Sequence, residues 1–529
     1  MFEPNADIYE SPSRNPEVGP YRRVPRNRGW GAKAAGAVVM AGALALTACT
    51  SQPADPAANA DGPLKIGVAS IPATLDPGQN FQLGEYAIMN LVGGTLTNLN
   101  SDGKSVSMGL ADTVTPGDSN YVVKLKPGLK FSDGSPLTAT DVAASFEYYL
   151  ADKTNGYDYT FAPVQKVTAT DDLTVNFELK RPYPGLEYTF TYPTSAVIPA
   201  KVIKEKGKDL YKGGPLPTAG KYQVTSFDAN EVILEANPNY EGTQPSAKTL
   251  TFKRITDPAA RLAQVQGGQL DYATQISPKN IPQLSGAVQA RTAQAVNGNV
   301  FLGMNNRDNS VLSDVRIRKA ISAAISRDQI NQVAFAGKNT PALSLFGSSS
   351  KNNRPFLAAQ PKVEEAKQLL IGTRCADGCT LRFIAASDDE TISDIALIVQ
   401  QNLNAIGIQV NIEKAEKTVL AQQANEGNYD FRASETYDAA DTPGPFLAFV
   451  LGPTVKALRT GYSSPEVNQL IETIQATSGS QADSALDQLN AVFEKDLPMA
   501  PIANFMVVSA SRVPAERLDL DPTLFFHVG

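Results

Sequence analysis

The chain has 529 residues, a formal net charge of −7, 42% apolar and 19% charged residues, and a single His and a single Trp. That balance is ordinary for a globular protein and argues against a nucleic-acid binder, which carries a basic patch or stripe. With His527 as its only histidine and only Cys375 and Cys379 besides Cys49, the chain argues against a zinc site of Cys and His ligands.

Read from the start, Arg22, Arg23, Arg26, Arg28 and Lys33 form a basic stretch without an acidic residue. An almost wholly apolar run over 34–48 follows and ends on Cys49. Basic region, short apolar region and small-residue processing site, in that order, describe a secretory signal over 1–48. The run is shorter than the roughly 20 residues a membrane-spanning helix needs. Leu46-Thr47-Ala48-Cys49 resembles the lipobox of bacterial lipoproteins, which implies cleavage before Cys49 and lipid on its sulfur. The polar Pro-, Ala- and Asp-rich segment 49–61 suits a flexible tether between a membrane and a folded body. Arg22-Arg23 followed by Val24-Pro25 leaves Sec and Tat export both open.

Beyond the tether, 64–68 alternates like a strand and Leu75-Asp76-Pro77 breaks it; 121–125 and 174–179 alternate again. Between these two, Thr138 and Asp141 sit at N-cap and N3 of a helix whose face is Val142, Phe146, Tyr149 and Leu150. Ser313 or Asp314 caps a helix bearing Ile317, Ile321, Ala324 and Ile325. Cys375 and Cys379 flank Asp377-Gly378, a spacing that favours a small disulfide in an oxidising compartment over a redox-active C-x-x-C pair. The stretch 380–412 then reads strand, helix, strand, with Ile392, Ile395, Ala396, Val399 and Leu403 on one helical face and Gly407 past its end. Such a unit predicts a parallel pair of strands. Ser464-Pro465 opens a helix through Leu470, Ile471 and Ile474, and a second follows through Leu486, Leu489 and Phe493. The expected class is α/β or α+β with several domains.

These residues carry a family resemblance. The run 125–142 (LKPGLKFSDGSPLTATDV) resembles the signature of family 5 extracellular solute-binding proteins, the dipeptide- and oligopeptide-binding components of ABC importers. Further matches follow in order: Leu75-Asp76-Pro77, Thr218-Ala219-Gly220-Lys221-Tyr222, the GGQLD run 267–271, Gly303-Met304-Asn305-Asn306, the DVRIRKAI run 314–321, the AKQLL run 366–370 and Ile406-Gly407-Ile408. The resemblance implies an α/β, two-lobed periplasmic-binding-protein-like fold with an extra inserted domain and a hinge between lobes. Carried onto this chain, domain I is 62–104, 212–305 and 500–529, domain II the insertion 105–211, and domain III 306–499. It also implies a monomer that closes on its ligand.

The favoured ligand is an oligopeptide, delivered to a membrane permease served by a separate ATPase. Nickel complexes, haem or glycosides remain alternatives, because relatives bind them. In peptide-binding relatives an Asp near a Gly-Trp-x-x-Asp…Asp-Pro…Phe stretch holds the amino terminus. The matching stretch here is 434–446 (SETYDAADTPGPF), where Ala439 occupies that Asp's register, so Asp438 or Asp441 is expected to take the role. Because Trp30 lies in the leader, wall contacts fall to Phe81, Tyr437 and Tyr462, with Asn80, Asn305 and Glu435 as polar candidates. A hydrolase is disfavoured: the chain has no G-x-S-x-G or H-E-x-x-H, and Gly337-Lys338 lacks the rest of a P-loop. No cofactor or metal is expected.

Overall fold

Two long antiparallel strands, Gln289–Met304 and Met499–Ser511, carry the chain between its two lobes in the computed structural model, which describes residues 62–80, 82–151, 160–212, 214–452 and 459–529. They form the middle of a ten-stranded mixed sheet. Beside Met499–Ser511 lie, in order, Tyr272–Ala273, Leu64–Val68, Thr249–Arg254, Glu231–Ala236 and Tyr222–Phe227. Beside Gln289–Met304 lie Phe431–Asp438, Cys379–Ala386 and Ile408–Ala415.

Each half packs its own core. In the first, Leu64, Ile66, Val68, Leu234, Leu250 and Phe252 are buried against helix Leu83–Val92 and the C-terminal strands Leu518–Leu520 and Phe526–Val528. In the second, the helix-strand periodicity places Ile392, Ile395, Ala396, Val399 and Leu403 of helix Glu390–Asn404 onto Leu381, Phe383 and Ile408. The flanking strands pair parallel from Cys379↔Ile408 to Ala386↔Ala415, and Gly407 turns between helix and strand at φ 84°. A disulfide joins Cys375 to Cys379 just ahead of this unit. The helical part of this half, Pro443–Leu451, Pro465–Ala476 and Gly479–Asp496, has a separate core around Phe446, Ile471, Leu489 and Phe493.

A further core belongs to a four-stranded antiparallel sheet, in the order Ala111–Pro116, Asn120–Leu125, Thr174–Leu179, Val164–Ala169, covered by helix Ala139–Ala151. Phe146 sits at its centre, with the rings of Tyr149, Phe161, Phe177 and Phe190 all at 4.9–5.9 Å. The loop entering that helix follows from its residues. Asp133 Oδ1 accepts from the Ser135 amide at 2.9 Å and holds a turn with Gly134 at φ 84°. Asp141 Oδ2 then accepts from the Thr138 amide at 2.8 Å and closes the helix start.

The crossover pair is irregular where the lobes meet. Pairing jumps from Gln294↔Met506 to Asn299↔Asn504, so residues 295–298 bulge out of register. The loop 339–348 clamps the bulge through asparagine side chains that are fully buried. Asn504 Nδ2 donates to Thr340 O at 3.1 Å and Ser348 Oγ at 3.0 Å, while its Oδ1 accepts from the Ser348 amide at 3.0 Å. Asn299 Nδ2 donates to Ser344 O and Leu345 O at 3.1 and 3.0 Å.

Candidate ligand cleft

The strand Phe431–Asp438 leaves the crossover pair and runs into the space between the cores. One edge pairs with the crossover strand, as Asn297↔Asp438, Gly298↔Tyr437 and Asn299↔Thr436. On its other edge Phe431 meets Phe383 of Cys379–Ala386, and from Ala433 to Asp438 no described strand pairs with it. The strand ends against helix Pro443–Leu451, started by Pro443 at its first position. Facing it from the other lobe are helix Leu83–Val92 and the turn Pro193–Ser195.

These elements enclose a cavity of about 190 Å³. One wall is Glu435, Thr436, Tyr437, Asp438 and Ala439; helix Pro443–Leu451 adds Pro445, Phe446 and Phe449; Tyr86, Thr160, Tyr192 and Thr194 come from the opposite side. Five aromatic rings and two carboxylates thus line it, and among the described residues no Lys, Arg or His does. Asp438 Oδ1 accepts from Tyr192 Oη at 2.9 Å, across the cleft, and from the Ala440 amide at 3.0 Å. Burial pushes the Asp438 carboxyl up to about 6, against the pull of those two hydrogen bonds. The Tyr437 ring stacks on Phe505 of the crossover strand, centroids 5.1 Å apart and planes 9° apart. Thr194 Oγ1 and Thr436 Oγ1 are both buried without a hydrogen-bond partner.

Glu435 also borders a second chamber of about 320 Å³, where Lys417, Arg432 and Arg459 face Asp389. Glu435 is itself exposed in the open cleft, and the protein atoms around its carboxyl desolvate it in part. Its carboxyl is therefore raised well above the usual carboxylate range, chiefly by burial and then by the charge of Asp389. Two further contacts tie the lobes together. Arg181 Nη2 donates to Gln475 Oε1 at 2.6 Å, and Lys279 bridges Asp394 and, at 3.6 Å, Glu390.

Of the candidates named from sequence, Glu435, Tyr437 and Asp438 come together on this wall. The others are engaged elsewhere. Asp441 is buried, its carboxylate held by Ser350 Oγ, by the Lys351 amide at 2.9 Å and by Asn352 Nδ2 at 3.2 Å. Asn80 Nδ2 closes a turn on Thr74 O and Asp76 O. Asn305 Nδ2 donates to Gly427 O and Tyr429 O at 3.0 Å. Tyr462 packs on the helical core and donates to Asp496 at 2.7 Å. Phe81 and Cys49 lie outside the described residues. Tyr86, Tyr192 and Thr194 were not singled out from sequence: each sits in a segment whose local pattern reports only a helix face or a turn.

Among the described residues no group of three or more His, Cys, Asp or Glu is arranged to hold a metal, and no helix is long and apolar enough to cross a membrane. The family model described as bacterial extracellular solute-binding proteins, family 5 Middle, matches residues 105–457. The probable D,D-dipeptide-binding periplasmic protein DdpA of Escherichia coli (strain K12) is 27% identical over 457 residues, covering 82% of this chain and 87% of that protein. The oligopeptide-binding protein AppA of Bacillus subtilis (strain 168) is 26% identical over 433 residues, covering 74% and 77%. In fold, a dipeptide binding protein from Pseudoalteromonas sp. SM9913 in complex with Met-Leu superposes with a TM-score of 0.77 at 18% identity, over 88% of this chain and 100% of that one. The chain therefore belongs to family 5 of the bacterial extracellular solute-binding proteins, and it is a binding component of an ABC importer, not an enzyme.

Proposed function

We propose that this protein is an exported lipoprotein, anchored to the outer face of the cell membrane through Cys49, that captures a short peptide and presents it to a permease driven by a separate ATPase. The observation that carries the ligand reading is the cavity between the cores, where the described residues supply two carboxylates and five aromatic rings and no cationic side chain. Such a lining attracts the ammonium end of a ligand through Asp438 and the ring faces, and repels a carboxylate. The edge from Ala433 to Asp438, along which no described strand pairs, gives an extended chain main-chain partners, the strand-addition mode of peptide recognition. Relatives named for D,D-dipeptides and oligopeptides support the same class.

On this reading the crossover strands form the hinge. Residues 62–104, 212–305 and 500–529 close as domain I, with 105–211 as an inserted domain II, against domain III at 306–499. The protein works as a monomer. Native mass spectrometry of the purified protein should show a co-purified peptide, and a di- to pentapeptide library should raise its melting temperature. Bare protein with no shift across the library refutes the peptide reading. For the anchor, Cys49→Ser should move the protein from the membrane fraction to the medium; retention of the variant at the membrane refutes it.

A further inference from the structure

We infer that Thr194 and Thr436 form a hydroxyl pair that reads the first peptide bond of the bound ligand, one accepting from its N–H and the other donating to its C=O. The inference rests on the peptide reading above and assigns these two residues as its specificity determinants. Both line the same cavity, and they come from opposite sides of it: Thr194 from the turn Pro193–Ser195, Thr436 from the strand Phe431–Asp438. They are 3% and 4% exposed, and neither hydroxyl has a partner. A buried hydroxyl without a hydrogen bond is costly, so two at one cavity call for an occupant that satisfies them. A threonine hydroxyl donates one bond and accepts others, and it reaches different directions through the staggered wells of χ1. Two such groups match a donor and an acceptor held side by side, as in an amide.

Their position fixes which amide. Thr436 lies two residues before Asp438 on one strand, and side chains two apart share a face. An ammonium bound at Asp438 therefore leaves the next polar group of the ligand close to the threonines. Reading the backbone rather than a side chain predicts tolerance of side-chain identity and intolerance of a lost N–H. One competing explanation is local: Asn299, opposite Thr436 in the ladder, also leaves its Oδ1 unpaired, so the hydroxyl could serve the hinge instead.

The test uses isothermal titration of the wild type and of Thr194→Val, Thr436→Val and the double variant. The probes are Ala-Ala and Ala-Ala-Ala, each beside a counterpart whose first peptide bond is an ester. Wild type should favour the amides over the esters by on the order of 10–100-fold. The double variant should bind amide and ester alike, with melting temperatures unchanged or raised in all three variants. Equal wild-type affinity for amide and ester overturns the inference, as does discrimination that survives in the double variant. So does a lower melting temperature in Thr436→Val, which assigns the hydroxyl to Asn299. If wild type binds library peptides but neither alanine probe, backbone reading is wrong while the peptide function stands. If it binds no peptide at all, the parent reading fails first.

Discussion

Replacing Asp438 by Asn should stabilise the empty protein and disable it, and the two effects separate by pH. Asp438 faces the cavity and is otherwise enclosed, and burial raises its carboxyl from an ordinary 3.8 to about 6. An acid that is harder to ionise in the folded chain keeps its proton over a range where the unfolded chain has lost it. Its contribution is therefore neutral below about pH 4, turns unfavourable as pH rises, and reaches its full cost above about pH 6. That difference corresponds to at most about 3 kcal/mol, reduced to the extent that solvent in the cavity screens the charge. Asparagine keeps the one oxygen that both Tyr192 and the Ala440 amide use, so the local hydrogen bonds survive the change. The unliganded variant should melt on the order of 1–3 °C above wild type at pH 8 and with it at pH 4. Against an ammonium-bearing peptide the same variant should lose about 2–5 kcal/mol of binding. Thermal denaturation at both pH values, without and with peptide, reads all of these. Equal melting temperatures at pH 8, or a shift of the same size at pH 4, would refute the reasoning, because an effect independent of pH cannot come from this charge.

The remaining expectations use the same wall and hinge. Affinity of the wild type for a peptide's ammonium end should hold steady between about pH 6 and 7, and weaken toward tenfold per unit below that, since the Asp438 carboxyl must then lose a proton to pair. Titration calorimetry between pH 4.5 and 8 checks this, and a flat profile removes Asp438 from the site. Gly298→Ala would place a methyl 2.8 Å from Tyr437 Cβ and 3.0 Å from Thr436 O. It should displace the cavity wall, costing about 1–3 kcal/mol of stability and weakening peptide binding at least tenfold. Asn504→Ala strips three hydrogen bonds from the buried clamp on the crossover bulge and should cost about 2–4 kcal/mol in denaturation. A loss below 1 kcal/mol would mean the clamp is not under load.

Local structure was the part most legible in the sequence, because it depends on short-range periods and caps. Helix Glu390–Asn404 and its flanking strands follow from one apolar stripe and one glycine, and the Thr138–Asp141 start follows from two residues three apart. The cleft depends on longer-range facts. Tyr437 and Asp438 were visible because they sit in a motif, whereas Tyr86 and Tyr192 reach the same cavity only through the packing of two other segments. Asp441 shows the converse. Three residues from Asp438 and equally acidic, it is taken up by the 350–352 turn, a partner some ninety residues away that no local pattern reveals.

On the hinge reading proposed above, the same strand pair serves as hinge and as cavity wall, which would tie closure to occupancy. Gly298 of the bulge pairs with Tyr437, and Asn299 with Thr436, so any change in the bulge moves cavity residues by a direct main-chain route. Tyr437 in turn stacks on Phe505, next to the clamped Asn504 on the other crossover strand. A ligand held by Asp438 and the facing Tyr192 loads both sides of this unit at once. Its preference for the closed arrangement is thus delivered where the lobes rotate, and only that preference can shift the equilibrium. The cross-cleft pairs at Arg181–Gln475 and Lys279–Asp394 lie outside the cavity and include exposed groups, each contributing at most about 1 kcal/mol. On the same reading they would bias a closed state without holding it and leave the ligand as the deciding contact.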